Sequence, residues 1–179
     1  SGCLTRIATY DLQADLPIGN MSNSEPPKIA HPKSIWALTY VKKFKWHIFP
    51  LHSIDPVSKK CTCARPDCAS NNQGKHPRTK NGVSDASSDP KVVAKKKKKW
   101  PDANIGLACG RSGLVVIDVD PRNGGDETII ELQKKHGNLV TTPVQLTGGG
   151  GLHYIYHKLD ESMVRGASLP GGIDIKADG

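Results

Sequence analysis

The chain has 179 residues, with 25 Lys and Arg against 17 Asp and Glu, a net charge of +8 and a pI near 9.3. That length suits about one domain with a real core, and no apolar run approaches the roughly 20 residues of a membrane span or a secretory core, so a soluble protein is expected. The cationic excess favours an acidic partner, nucleic acid first, although Lys95–Lys99 alone supplies five of the charges.

Residues 1–33 read as a leader, tag or flexible tail: SNSEPPK carries two prolines and no period, and Met21 is a candidate native start. From Pro32 the spacing of Ile35, Trp36, Leu38 and Val41 predicts a helix with Pro32 in its first turn. WHIFPL (46–51) reads as a short strand, and 55–82, rich in Pro, Gly, Asn, Lys and Cys, as a loop-like insert. Asp89-Pro90 looks like the cap and first residue of a helix ending near Trp100-Pro101. NIGLA (104–108) and LVVID (114–118), separated by Gly110–Gly113, predict a hairpin. A helix follows over Asp126–His136 with Gly137 as terminator, then the glycine-broken strand VQLTGGGGLHYIYH and the short strand in GIDIKAD. Strands with helices between them predict an α/β or α+β domain, without internal repeats.

The strand LVVIDVD (114–120) ends in two acids. Side chains alternate along a strand, so Asp118 and Asp120 point one way while Ile117 and Val119 point the other. Like charges that close are costly unless a cation neutralises them, and hard carboxylate oxygens suit Mg²⁺ or Mn²⁺; the alternative is a solvated strand end. GIDIKAD repeats the design: Ile173 and Ile175 face a core, and Asp174 is a third carboxylate, with Asp178 competing. In TGGGGLHYIYH, Gly148, Gly149, Gly150 and Gly151 allow close backbone approach and N–H groups aimed at phosphate. His153, on the face opposite Leu152, Tyr154 and Tyr156, is a candidate phosphate ligand. The competing reading is a flexible turn followed by a surface histidine.

Asp118-Val119-Asp120, Gly151-Leu152-His153 and Ile173-Asp174 follow the DxD, small-x-His and hydrophobic-Asp order of the archaeo-eukaryotic primase superfamily. More closely, the chain resembles the bifunctional DNA primase/polymerase (prim-pol) domains of phages and plasmids. The resemblance is carried by ALTYVKKFKWHIFPL, GKHPRTKNGVSDAS, WPDANIGLACGRSGLVVIDVDPRNGG and LTGGGGLHYIYHKL, in that order, over roughly 34–179. It implies an α+β, RRM-like catalytic core and template-directed nucleotidyl transfer with two divalent metals. Asp118, Asp120 and Asp174 would hold Mg²⁺ or Mn²⁺, and His153 and Gly148–Gly151 would contact the incoming nucleoside triphosphate. On charge grounds Arg122 and Lys176 would assist. Partners would be DNA template and primer, with a helicase domain or protein, in a bacterial or phage-infected cytoplasm. In the family a glycine-rich strand follows the last acid, whereas this sequence stops at Gly179, so either a sheet lacking that strand or a truncated domain is expected.

CTCARPDCASNNQGKH (61–76) spells C-x-C-x4-C-x7-H. Three thiolates and an imidazole (Cys61, Cys63, Cys68 and His76) suit a closed tetrahedral zinc site, within an insert of about 59–78 that such relatives often carry before a GKHP-like segment. His52 is a distant alternative ligand, a metal-free loop is the competing reading, and a Cys61–Cys63 disulfide fits poorly. Cys3 and Cys109 read as a tail thiol and a core residue. The lysine run reads as a solvated helix face, with phosphate binding second and Trp100 as its anchor. Two readings from other classes remain. A haloacid-dehalogenase-like phosphatase would explain VVIDVD but not His153, and a zinc-stabilised DNA-binding module would leave the three acids unexplained.

Overall fold

In the computed structural model, residues 3–5, 33–160 and 166–178 are described. Pro32 and Met21 lie outside them. Helix α1 (Lys33–Lys43) buries Ala37, Tyr40 and Val41, an i, i+3, i+4 stripe. Trp36 and Leu38 flank that stripe, whereas Ile35, expected inside, is half exposed, because it lies a half-turn away.

The first sheet is antiparallel, in the order β1 (Cys3–Thr5), β3 (Asn104–Leu107), β2 (Ile48–Leu51). The tail was expected to be unstructured, yet Cys3–Thr5 supplies its outer strand. Pro50 is tolerated because β2 is an edge strand. Gly106 lies opposite Phe49, and a Cβ there would fall 2.7 Å from the ring, so only glycine fits. Helix α2 (Pro90–Lys99) begins as expected: Asp89 caps it by accepting the Lys91 N–H at 2.7 Å.

The second sheet has five antiparallel strands: β5 (Val144–Leu146), β6 (Leu152–His157), β4 (Leu114–Val119), β8 (Ile173–Lys176) and β7 (Ala167–Leu169). The expected hairpin between 104–108 and 114–118 does not form. Gly110–Ser112 winds into a 3-10 turn closed by left-handed Gly113, and this turn carries the chain from one sheet to the other. Both edges of β3 pair with β1 and β2, and both edges of β4 with β6 and β8.

Leu114, Val116 and Ile155 on one face of the second sheet join Ala37, Tyr40, Val41, Ile105 and Leu107 in a core shared with the first. Helix α3 (Gly125–His136), ended by Gly137, covers the reverse face, where Ile129 meets Val119 and Ile173. Among the described residues no helix is long and apolar enough to cross a membrane.

Candidate active site and metal centre

On β4 the face that carries Leu114 and Val116 into the core carries Asp118 next, where the apolar packing ends. The ladder sets His153 opposite Asp118 on one side and Asp174 opposite it on the other. The same rung extends outward to Gln145, opposite His153, and to Ser168, opposite Asp174. Five strands thus align Gln145, His153, Asp118, Asp174 and Ser168 in one polar row, since directly opposed residues share a face. Asp174 is therefore on the same side as Asp118, as a shared site requires.

The His153 end of the row is buried, His153 being 3% and Gln145 1% exposed, which removes the reading of His153 as a surface residue, while Asp118 and Asp174 are partly exposed and Ser168 is exposed. His153 Nε2 lies 3.2 Å from Asp118 Oδ1. Asp120 sits one residue beyond β4 in extended backbone (φ −102°, ψ 105°), continuing the alternation. Its amide donates to the Gly172 carbonyl at 2.9 Å, and its own carbonyl accepts from Gly125 N–H at 2.9 Å. A Cβ on Gly125 would fall 2.6 Å from the Gly172 oxygen, so this close crossing of chains behind the acid requires glycine.

Two of the three carboxylates, Asp120 and Asp174, face a cation. Arg122 grips Asp120 in a fork, Nε to Oδ1 at 2.9 Å and Nη2 to Oδ2 at 2.8 Å, and this hydrogen bonding lowers the Asp120 pKa. Lys176 Nζ donates to Asp174 Oδ2 at 2.6 Å; that bond first, and the Ser168 hydroxyl second, lower the Asp174 pKa, while the charge of Asp120 opposes them. The repulsion between Asp120 and Asp174, and the attraction of Arg122 for Asp118, mark the three acids as one electrostatic group. Asp178 departs from the row: its carboxylate accepts the Gly166 N–H at 2.8 Å.

The glycine turn joins β5 to β6 beside this row. Thr147 closes it, accepting Gly150 N–H on its carbonyl at 3.1 Å and Gly151 N–H on its hydroxyl at 2.9 Å. Two of the four amides expected to face phosphate therefore hold the turn instead. Arg122 packs on the turn, with its guanidinium carbon 3.3 Å from where a Gly149 Cβ would stand. Nothing in the sequence marks Gln145 or Ser168, because a lone polar residue in a three-residue strand resembles any edge position.

The second cluster lies in the loop between β2 and α2. Cys61, Cys63, Cys68 and His76 bring their ligand atoms within 4.8 Å of one another, the sole such group among the described residues. Cys61 Sγ is 3.2 Å and Cys68 Sγ 3.5 Å from His76 Nε2. Burial raises the Cys61 pKa, but the N–H groups of Gly74 and Cys63, with the Cys63 thiol and the His76 ring, outweigh it and bring it to about 6. Burial, then hydrogen bonding with Cys63 and Cys61, push the Cys68 thiol up to about 12. His52 stacks on His76 at 4.7 Å and bonds Thr62 at 3.1 Å, a supporting role rather than a ligand's. Soft thiolates with one imidazole fit zinc, and the loop has few apolar residues to order it otherwise.

The sequence profile of the family described as bifunctional DNA primase/polymerase, N-terminal, matches residues 37–179. The chain belongs to that family. No curated protein matches it in sequence. Membership assigns the prim-pol domain a broad primase/polymerase activity of the nucleotidyltransferase type, with DNA and nucleotides as substrates. It leaves the phosphatase alternative without support.

Proposed function

We propose that this prim-pol domain is a DNA-dependent primase/polymerase acting in replication of a phage, plasmid or mobile element. Its catalytic domain spans 34–179, with a zinc-binding insert at about 59–78. The observation that carries the reading is the rung: Asp118 and Asp174 directly opposed across β4 and β8, with His153 on the other flank of Asp118. A helix behind an antiparallel sheet and acids on its front face support an RRM-like primase core.

The oxygen donors fit hard divalent cations, and Asp118, Asp120 and Asp174 are the residues that would hold them. Bound Mg²⁺ or Mn²⁺ supplies charge neutralisation at the transferring phosphorus and a lowered pKa for the attacking hydroxyl. His153, held against Asp118, contacts the triphosphate. The Gly148 and Gly149 amides lie along it, while Gly150 and Gly151 fix the turn. Arg122 and Lys176 offer their cations to phosphate oxygens and, through Asp120 and Asp174, orient the ligands. Zinc at Cys61, Cys63, Cys68 and His76 orders the insert, and a helicase acts beside the enzyme in the host cytoplasm.

A second reading, a zinc-stabilised DNA-binding module without catalysis, is favoured by the cations already facing Asp120 and Asp174. Primer extension on a primed single-stranded template with Mn²⁺ or Mg²⁺ separates the two. Asp118→Asn and Asp174→Asn should each lower incorporation about a hundredfold or more, since the cations they hold are worth several kcal/mol. DNA binding should persist in both. Undiminished extension by both variants refutes the metal assignment, and no extension by the unaltered chain favours the binding module.

A further inference from the structure

Charge divides sharply along this chain. Residues 33–111 carry 17 Lys and Arg against 5 Asp and Glu, whereas 112–179, which hold the acidic row, carry 6 against 9. The cations of the first part are not evenly spread. At the C-terminal end of α2, Lys99 Nζ lies 4.6 Å above the Trp100 ring and the Arg78 guanidinium 6.0 Å from the same ring. Arg78 comes from the end of the Cys/His loop, which it ties down by donating to Thr62 Oγ1 at 2.8 Å. Lys33, from the start of α1, reaches the same place and donates to the Asp102 carbonyl at 2.9 Å. Lys97 is buried among them, and after desolvation its pKa is lowered further by Lys33 and Arg78, with Asp102 the acid opposing them.

A helix dipole explains cations in its own last turn. It does not explain Arg78 and Lys33, which two other segments bring to the same spot. Like charges gathered at this density are unfavourable until a polyanion neutralises them. Trp100, half buried with its ring beneath two cations, adds a flat aromatic surface, the combination by which single strands are held without sequence preference.

We propose that the end of α2, Trp100 and the adjoining edge of the Cys/His loop form a single-stranded DNA backbone track, separate from the acidic row. It rests on the polymerase reading only for the polyanion being DNA. Lys95, Lys98 and Lys99 are the exposed lysines of α2 nearest Trp100 along the chain, and none belongs to the catalytic group. The test is fluorescence anisotropy of a labelled oligothymidylate across a salt series, comparing the full chain with Lys95→Gln/Lys98→Gln/Lys99→Gln.

Each lost cation–phosphate contact removes about 0.7 from the slope of log affinity against log salt, so the triple variant should lose about 2. Its primer-binding defect should shrink at high salt, and its melting temperature should match the unaltered chain. An unchanged slope overturns the proposal, as does equal or tighter binding of blunt duplex dependent on the same lysines. Asp118→Asn is the separating arm. Polymerase failure shows there as persistent extension, whereas track failure shows as an unchanged slope in the lysine variant.

Discussion

Lys97 Nζ lies inside the protein, 3.0 Å from the Ala103 carbonyl it donates to, in the midst of a five-lysine run. Its neighbours differ sharply: Lys95, Lys98 and Lys99 are exposed, and Lys96 donates to the Asp85 carbonyl. The run is therefore not the uniform solvated face its composition predicts, because a helix presents successive residues a hundred degrees apart and one of the five must turn inward. Burial, then Lys33 and Arg78, lower the Lys97 pKa to about 8. The folded state releases this proton near pH 8, whereas the unfolded chain keeps it to about pH 10.4. Between those values the unfolded state binds more protons, so stability rises with pH. In denaturant titrations the unaltered chain should gain up to about 3 kcal/mol relative to Lys97→Met from pH 8 to 10.5. A difference that stays flat over that range would mean the amine is solvated.

At the scale of elements, the Cys/His loop depends on its four ligands more than on packing. Backbone bonds tie its ends to β2 and to each other, His52 N–H to the His76 carbonyl at 2.9 Å and Arg78 N–H to the Pro50 carbonyl at 2.9 Å, and Gly74 donates to Cys61 Sγ at 3.3 Å. Native mass spectrometry should find one zinc per chain, and Cys68→Ser should lose it. Because 1 kcal/mol shifts the melting temperature by roughly 2–4 °C in a chain of this size, loss of the ion should lower it by at least about 4 °C. Zinc retained by Cys68→Ser with an unchanged melt would remove Cys68 from the ligand set. The position of this loop matters beyond itself, since Arg78 at its end meets Trp100 at the end of α2.

For the whole molecule, the decisive feature is a core that both sheets share. Leu114 (1% exposed) and Val116 (0%) project from β4 into residues of α1 and β3, while Asp118 on the same face ends at the polar row. Asp118 is held in place by apolar neighbours two and four residues earlier. Leu114→Ala should cost about 2–5 kcal/mol. Urea unfolding should remain a single transition in which tryptophan fluorescence, to which Trp46 of that core contributes, and the far-ultraviolet dichroism move together. Two separated transitions would show that the sheets fold independently.

The sequence by itself determined what short-range physics controls. The cap at Asp89, the stop at Gly137, the alternation that sets Asp118 against Ile117, and the donor types at 61–76 are all written in residues a few positions apart. It could not determine which strands become neighbours. The turn at Gly110–Gly113 resembles a hairpin locally, and only competition for both edges of β3 and β4 sends those strands to different sheets. The meeting of Asp118 with Asp174, 56 residues away, was likewise decided by tertiary structure. Strand pairing closes long loops and is selected by the packing of both sheet faces at once, a property of the assembled chain that no segment carries alone.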